Sequence, residues 1–388
     1  MNRRLIDEGF LLNREKLDTY LRFHLILYSI FICYNNKNPL TKVVYEMFSA
    51  MLNYIGMDLG SSQIRIYQRD KIILEETSAA VVDNITGRVL GFGTDALIRY
   101  HQRPENNRLE YPIKNGLITN YDMVKDMLSF FLNKSLRRTV SRPNVIVSVP
   151  VEISSVTRHV LVDALIHAGA QSVYLIPAPA AAAVGAGLDI TIPTVSFSLV
   201  IGKDVSNIGI YGCSGIIAQD SVAFGGYNID LGICHYIQDK YNILISLGQA
   251  EKLKTEILSV TKSSIDTTCT VRGRRINDGV EVVIELSINE MTTVMQHIIQ
   301  PIIHLIKRIL RNATPEMADD FSKNGMLLCG GSAQLNGLKD WISFSIGIPV
   351  TIPEEPSSLV VKGCFSAYKM EKTHSLLIEN GEKYYGGT

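Results

Sequence analysis

The feature that most constrains the fold of this chain is a strand–turn–strand unit that occurs twice. The first copy is YIGMDLGSSQIRIY, starting at Tyr54, followed by a third β-like run, KIILEETSAAVV. The second is SLVIGKDVSNIGIYG, residues 198–212, followed by IIAQDSVAFGG. β-branched runs closed by a glycine-bearing turn read as hairpins. Two such openings, without strong identity between them, predict an internal structural repeat. The 388 residues are enough for about two domains. A glycine in such a turn lets backbone amides approach an anion such as a phosphate. An ordinary hairpin fits the same pattern.

Helices and strands alternate around the two units. Residues 124–136 have helical spacing. NVIVSVP (144–150) reads as a buried strand from its β-branched content. Residues 154–168 read as a helix, with Ser154 or Ser155 as N-cap and Gly169 as its stop. SVYLIPAP is a short strand, and AAAAVGAG begins a small-residue helix that must pack closely against something. Further helices are expected at 229–241 and 249–259, a β pair at CTVRGRR and VEVVIELS, and one long helix at 288–311. GMLLCGGSAQLNGLKDWI reads as strand, glycine turn, helix. This mixed order predicts the α/β class.

Composition narrows the function. Lys plus Arg and Asp plus Glu both number 38, so the chain lacks the basic surplus of a nucleic-acid binder. Arg272, Arg274 and Arg275 are expected at a solvated hairpin tip. The cysteines Cys33, Cys213, Cys234, Cys269, Cys329 and Cys364 are scattered, without CxxC or His/Cys metal spacing. Buried free thiols in a reducing cytoplasm are the expectation. Near the N-terminus, residues 20–36 are apolar but broken by Arg22 and His24. The uninterrupted run falls short of the roughly 18 residues of a membrane span, and no convincing small-residue cleavage site follows. An interfacial anchor fits the basic flanks. The plainer expectation is that residues 1–50 lie outside the working fold, because a clean β pattern begins near Met51 or Met57.

Several stretches carry a family resemblance: IGMDLGSSQ, IKNGLITNYDMVKDMLSFFL, VYLIPAPAAAAVGAGLDITIPT, DKYNILI, AEKLKTEI, TVRGR, NATPEMADDFSKNGMLLCGGSAQLNGL and IPVTIPEEP. Each is modestly informative alone. In this order, over residues 51–369, they are specific, and the chain resembles the MreB family of bacterial actins, the rod-shape-determining filament proteins. The resemblance implies an actin-like α/β fold with two lobes around a nucleotide cleft. Residues 1–50 would be an extension, 51–192 the first lobe with 349–370 returning to it, 193–348 the second, and 371–388 a tail. It implies a cytoplasmic filament or filament-associated protein of cell-shape control. The ligand would be ATP or ADP with magnesium. The partners would be further copies or an MreB paralogue, with a membrane surface and cell-wall-synthesis proteins as further contacts. An active ATP-hydrolysing filament and a non-polymerising adaptor are the alternatives. A sugar kinase of the same broad fold fits less well, because the match extends to NATPEMADDF and IPEEP.

The resemblance also assigns residues. Asp58 stands where the family keeps an acid near the metal and its waters. Gly60, Ser61 and Ser62 form the first phosphate turn. Gly202 and Ser206 are what remains of the second. There Val200 replaces the family's acid, Lys203 and Asp204 replace glycines, and Val205 replaces a threonine. Lys203 is either a point charge for phosphate or a solvated turn lysine. Ala178 stands where a glutamate positions the attacking water, and alanine can neither orient nor deprotonate one. Tyr227 replaces a further acid. No catalytic residue is therefore assigned, and weak or absent hydrolysis is expected. Glu251 and Lys254 share a helix face by their i, i+3 spacing. A surface ion pair fits that spacing equally, and the resemblance places them at the ribose or base. Gly330 and Gly331 offer bare backbone to adenine or phosphate. The family's exposed apolar doublet aligns near Arg99 and Tyr100. Leu97 and Ile98 are substitutes for membrane contact or else core, and His101 is expected at the surface.

Overall fold

The structure, a computed structural model, describes residues 53–136, 142–369 and 378–381. The expected extension (1–50), the apolar segment within it and Cys33 lie outside the described residues. The chain opens with β1 (Tyr54–Leu59), β2 (Gln63–Gln68) and β3 (Lys71–Thr77), all antiparallel. A small sheet follows from β4 (Ala80–Asp83), β5 (Val89–Phe92) and β6 (Asn107–Glu110), with helix α1 (Thr94–Gln102) between the last two. The hairpin β7 (Ile113–Lys114) and β8 (Leu117–Ile118) turns on Asn115 and Gly116, at φ 51° and 71°. Asn-Gly at two left-handed positions is the preferred chemistry of a two-residue hairpin loop. Helix α2 (Tyr121–Ser135) starts earlier than its apolar spacing suggests. Asn120 caps it, accepting from the Met123 amide at 3.1 Å. Then come β9 (Asn144–Val149), α3 (Ser155–His167), β10 (Ser172–Pro177) and α4 (Ala178–Gly185). Ser154 caps α3, as its sequence suggests. β9 runs parallel to β1, and β10 parallel to β9.

The second unit repeats this plan. β11 (Ser196–Ile201), β12 (Ser206–Gly212) and β13 (Gly215–Val222) are antiparallel. After them come α5 (Gly226–Tyr241), β14 (Ile243–Leu244), α6 (Leu247–Glu256), β15 (Thr268–Arg275), β16 (Glu281–Ser287), α7 (Ile288–Ile298), α8 (Gln300–Leu310) and α9 (Pro315–Asn324). β17 (Met326–Cys329), a 3₁₀ turn (Gly331–Gln334), α10 (Leu338–Ile346) and β18 (Val350–Thr351) complete it, and α11 (Leu359–Lys369) returns to pack on α4 and β1. The first sheet has the order β10-β9-β1-β2-β3 with one further short strand outside β10, and the second β18-β17-β11-β12-β13. In each, a three-stranded antiparallel unit is extended by two parallel strands on the side of its first strand.

The expected single helix at 288–311 is two helices. It breaks at Ile299 (φ −88°, ψ 7°), just before Pro301 in the first turn of α8. Proline has no amide to donate, and its ring clashes with the carbonyl four residues back. The apolar face nevertheless continues through Met291, Met295, Ile302 and Ile306 into one core with Phe197, Leu199, Ile208 and Ile210. A second core lies on the first sheet, around Ile55, Met57, Val145, Val147 and Phe131. Between them is a third, built of Ala180 to Val184, Val200, Leu359 and Cys364.

This third core explains the small-residue run. A Cβ on Gly185 would lie 2.0 Å from the Leu359 carbonyl, and one on Gly363 1.7 Å from that of Ala181. Helices α4 and α11 therefore touch backbone to backbone where the chain passes between the two sheets. Within the stretch expected as a tail, β19 (Glu379–Asn380) pairs antiparallel with β10. Among the described cysteines, all free, Cys329 and Cys364 are buried, Cys234 and Cys269 half-buried, and Cys213 exposed. Arg272, Arg274 and Arg275 are exposed near the end of the β15–β16 hairpin. No helix among the described residues is long and apolar enough to cross a membrane.

Candidate functional site

A cleft of about 980 Å³ opens where the turns of the two repeated units face each other. Asp58, Gly60, Ser61, Ser62, Gly202, Glu251, Lys254, Gly330 and Gly331 all line it, as do Ala178 and Val200. Ser206 does not. It pairs with Ile201, and its side chain points into the core face shared with Ile208 and Ile210. It is fully buried there, and its Oγ donates to the Phe224 carbonyl at 2.7 Å. Strand alternation instead turns Asn207 toward the cleft beside its partner Val200. Asn207 Oδ1 accepts from the Val151 amide at 3.0 Å.

In the first turn the Gly60 amide donates to the Gln63 carbonyl at 3.1 Å. A Cβ on Gly60 would sit 2.8 Å from that same oxygen, so the turn is closed too tightly for a side chain. Ser61 is buried and Ser62 exposed. Asp58, the penultimate residue of β1, lines the cleft, and its carboxylate accepts from Ser148 Oγ at 2.7 Å. Burial pushes this carboxyl above the usual range, opposed by the Ser148 bond and the Arg65 charge. Among the described residues no cluster of three or more His, Cys, Asp or Glu is placed to hold a metal. A lone carboxylate suits a hydrated magnesium ion that takes its other ligands from water and phosphate.

The second turn is braced from behind. The Gly202 carbonyl accepts from the Gly226 amide at 3.0 Å and from Ser332 Oγ at 3.2 Å, and the Lys203 carbonyl from the Tyr227 amide at 2.8 Å. The first amides of α5 are thereby used within the protein. Lys203 is not a solvated turn lysine. Its Nζ lies 4.7 Å from the Tyr111 ring centroid. Asp204 Oδ2 accepts from the Asn115 amide at 3.0 Å. Burial, and then the nearby Glu251 charge, raise the Tyr111 phenol above its ordinary value.

On the helical wall, Glu251 is exposed to the cleft, but Lys254 is only 8% exposed. Its Nζ lies 2.8 Å from Asp230 Oδ1 and donates to the Gly226 carbonyl at 3.0 Å. Burial pushes the Asp230 carboxyl up, while the Lys254 bond and charge pull it down. The i, i+3 pair on α6 therefore separates: one member faces the cleft and the other fastens α6 to α5. Gly330 has φ +90°, and a Cβ there would lie 2.3 Å from the Ile201 carbonyl. Gly331 faces open space. Tyr227 lines the cleft, and so does Leu97, which was a candidate for membrane contact. Ile98 is 52% exposed, and His101 is at the surface.

Sequence reasoning missed Ser148, Asn207, Asp230, Tyr111 and Asn115. Strand parity could have found Asn207, and the Asn-Gly dipeptide the β7–β8 hairpin. Nothing local to Tyr111 announces its place. Chemically, the cleft offers tight glycine turns, small hydroxyls, two carboxylates shielded from water (Asp58 and the Lys254-paired Asp230) and a helical wall. Neither Ala178 nor Val200 can direct water.

Residues 52–376 match the family model described as MreB/Mbl protein. The chain is 32% identical over 335 residues to the cell shape-determining protein MreB of Escherichia coli K12, covering 84% of this chain and 96% of that one. It is 29% identical over 311 residues to the cell shape-determining protein Mbl of Bacillus subtilis 168, covering 80% and 93%. The fold matches that of MreB5 of Spiroplasma citri bound to AMPPNP, with a TM-score of 0.75 at 24% identity over 83% of this chain and 96% of that one. For the ADP-bound form the TM-score is 0.76, at 24% identity over 86% and 98%.

Proposed function

This chain belongs to the MreB/Mbl family, and from that membership we propose that it is an actin-like cytoskeletal protein of cell-shape determination, binding ATP or ADP with little or no hydrolysis. One observation carries the reading. Two glycine turns, the α6 wall and the Gly330 turn meet around one cleft whose positions 178 and 200 hold no carboxylate. The AMPPNP and ADP bound to the Spiroplasma relative support an adenine nucleotide as ligand.

In this reading Gly60, Ser61 and Ser62 offer amides and hydroxyls to phosphate, and Gly202 leaves room beside them. Glu251 meets the ribose or base, and Gly331 lies under the adenosine. Lys254 holds the α6 wall in place through Asp230. Asp58 holds magnesium through water. When bound, that ion would neutralise phosphate charge. The lobes are 51–192 and 193–348; of the segment 349–370 expected to return to the first lobe, α11 does so, whereas β18 stays on the second sheet beside β17. The protein works in the cytoplasm by assembling with copies of itself or a paralogue. Membrane-surface and wall-synthesis contacts remain part of the proposal.

The test is single-turnover phosphate release from magnesium-ATP, across protein concentrations so that assembly is sampled. The wild-type chain is expected to release little above buffer. Restoring both acids, Ala178→Glu with Val200→Asp, is expected to raise the rate on the order of 100-fold or more, the scale of a single preorganised catalytic group. Rapid release by the wild-type chain, lost in Gly60→Val, would overturn the reading.

A further inference from the structure

The two residues that stand in place of glycines in the second turn both reach across the cleft. Lys203 lies over the ring of Tyr111, and Asp204 takes the Asn115 amide. Tyr111 and Asn115 belong to the first unit. The hairpin that follows Tyr111 and carries Asn115 is fixed there by the Gly116 amide on Ser61 Oγ at 3.5 Å and by Pro150, whose Cγ would lie 2.4 Å from a Gly116 Cβ. Lys203 and Asp204 belong to the second unit, where the amides of Gly226 and Tyr227 hold their turn. Each contact thus joins two braced segments rather than two loose side chains. Glycines at 203 and 204 could make neither.

We propose that Lys203 and Asp204 form a clasp that fastens the cleft shut at the turn end without any ligand, and so sets how fast a ligand leaves. The left-handed conformation of Asn115 places its amide at the outer edge of a two-residue hairpin loop. A carboxylate on such a donor is a charge-assisted bond, stronger than a neutral one. An ammonium over an aromatic face adds an attraction that grows as water is excluded. The clasp rests on the cleft as a structure and not on the identity of its ligand.

Hydrogen exchange of the ligand-free chain tests it directly. Residues 111–118 are expected to exchange about 10-fold faster in Lys203→Gly/Asp204→Gly than in the wild type, equivalent to about 1.4 kcal/mol. Segments in β1, β9 and β17 should be unchanged. Should the double variant melt early, Asp204→Ala alone is read on the same segment. Equal exchange at 111–118 in a folded variant overturns the clasp. A fluorescent ADP analogue should then leave the variant several-fold faster. Unchanged release beside faster exchange overturns the gating role. Failure of the wild type to bind ADP sinks the nucleotide reading and leaves the exchange measurement to decide the clasp.

Discussion

Adjacent glycines in this cleft do different work. Gly330 is held at φ +90° with the Ile201 carbonyl 2.3 Å from where a Cβ would be, while Gly331 faces open space. A side chain at 330 therefore meets both backbone strain and a clash, and a side chain at 331 meets neither. Gly330→Ala is expected to lower stability by about 2–4 kcal/mol, from a forced left-handed conformation and a displaced strand end. Gly331→Ala is expected to melt within about 0.5 kcal/mol of the wild type yet lose most of its stabilisation by ATP. Urea titration with and without nucleotide checks both. Equal destabilisation by the two variants would show that the open space beside Gly331 is not part of the site.

At the scale of elements, the α5–α6 contact turns on one ion pair. Lys254 and Asp230 have side chains 10% and 9% exposed, and Lys254 also holds the Gly226 carbonyl. Removing one member of a buried pair leaves the other uncompensated, a loss of about 3 kcal/mol or more where water is excluded. Asp230 lines the cleft and can take up a proton, so about 2–3 kcal/mol is expected for Lys254→Ala. Asp230→Asn added to it should recover most of the loss, because the stranded charge is gone. A Lys254→Ala protein that melts like the wild type and merely binds ATP weakly would make this lysine a ligand contact instead of a brace. The α7–α8 break follows the same logic of local chemistry against tertiary demand. Pro301 interrupts the backbone, but the apolar face carries on into the same core.

For the whole molecule, residues 54–388 form one compact unit. Among the described residues, the three large cores are lined by buried residues from Ile55 onward. A chain beginning at Met51 is therefore expected to unfold in a single cooperative transition at nearly the full-length midpoint, read by circular dichroism and fluorescence together. Non-coincident transitions, or a loss of cooperativity, would show that the first 50 residues complete a core. Nucleotide should raise the midpoint of both chains alike, since the described lining of the cleft begins at Asp58.

Much of this was legible in the linear chain. Both hairpin units and the Ser154 cap followed from local pattern, because turns, caps and strand alternation are decided by neighbours a few residues apart; the positions without carboxylates, Ala178 and Val200, came from the family resemblance. The side on which Ser206 and Asn207 fall was also present, in the parity of a strand whose odd and even residues face different cores. What the tertiary structure alone decided lies between distant segments. Lys254 reads as a cleft residue from its helix face, but its ion pair with Asp230, 24 positions earlier, is visible only in the structure. Asp204 reads as damage to a turn until the Asn115 amide, 89 positions away, arrives opposite it. A contact across that distance leaves no periodicity in either segment. It exists only once two sheets, each folded on its own pattern, are brought face to face by the backbone crossing of α4 and α11.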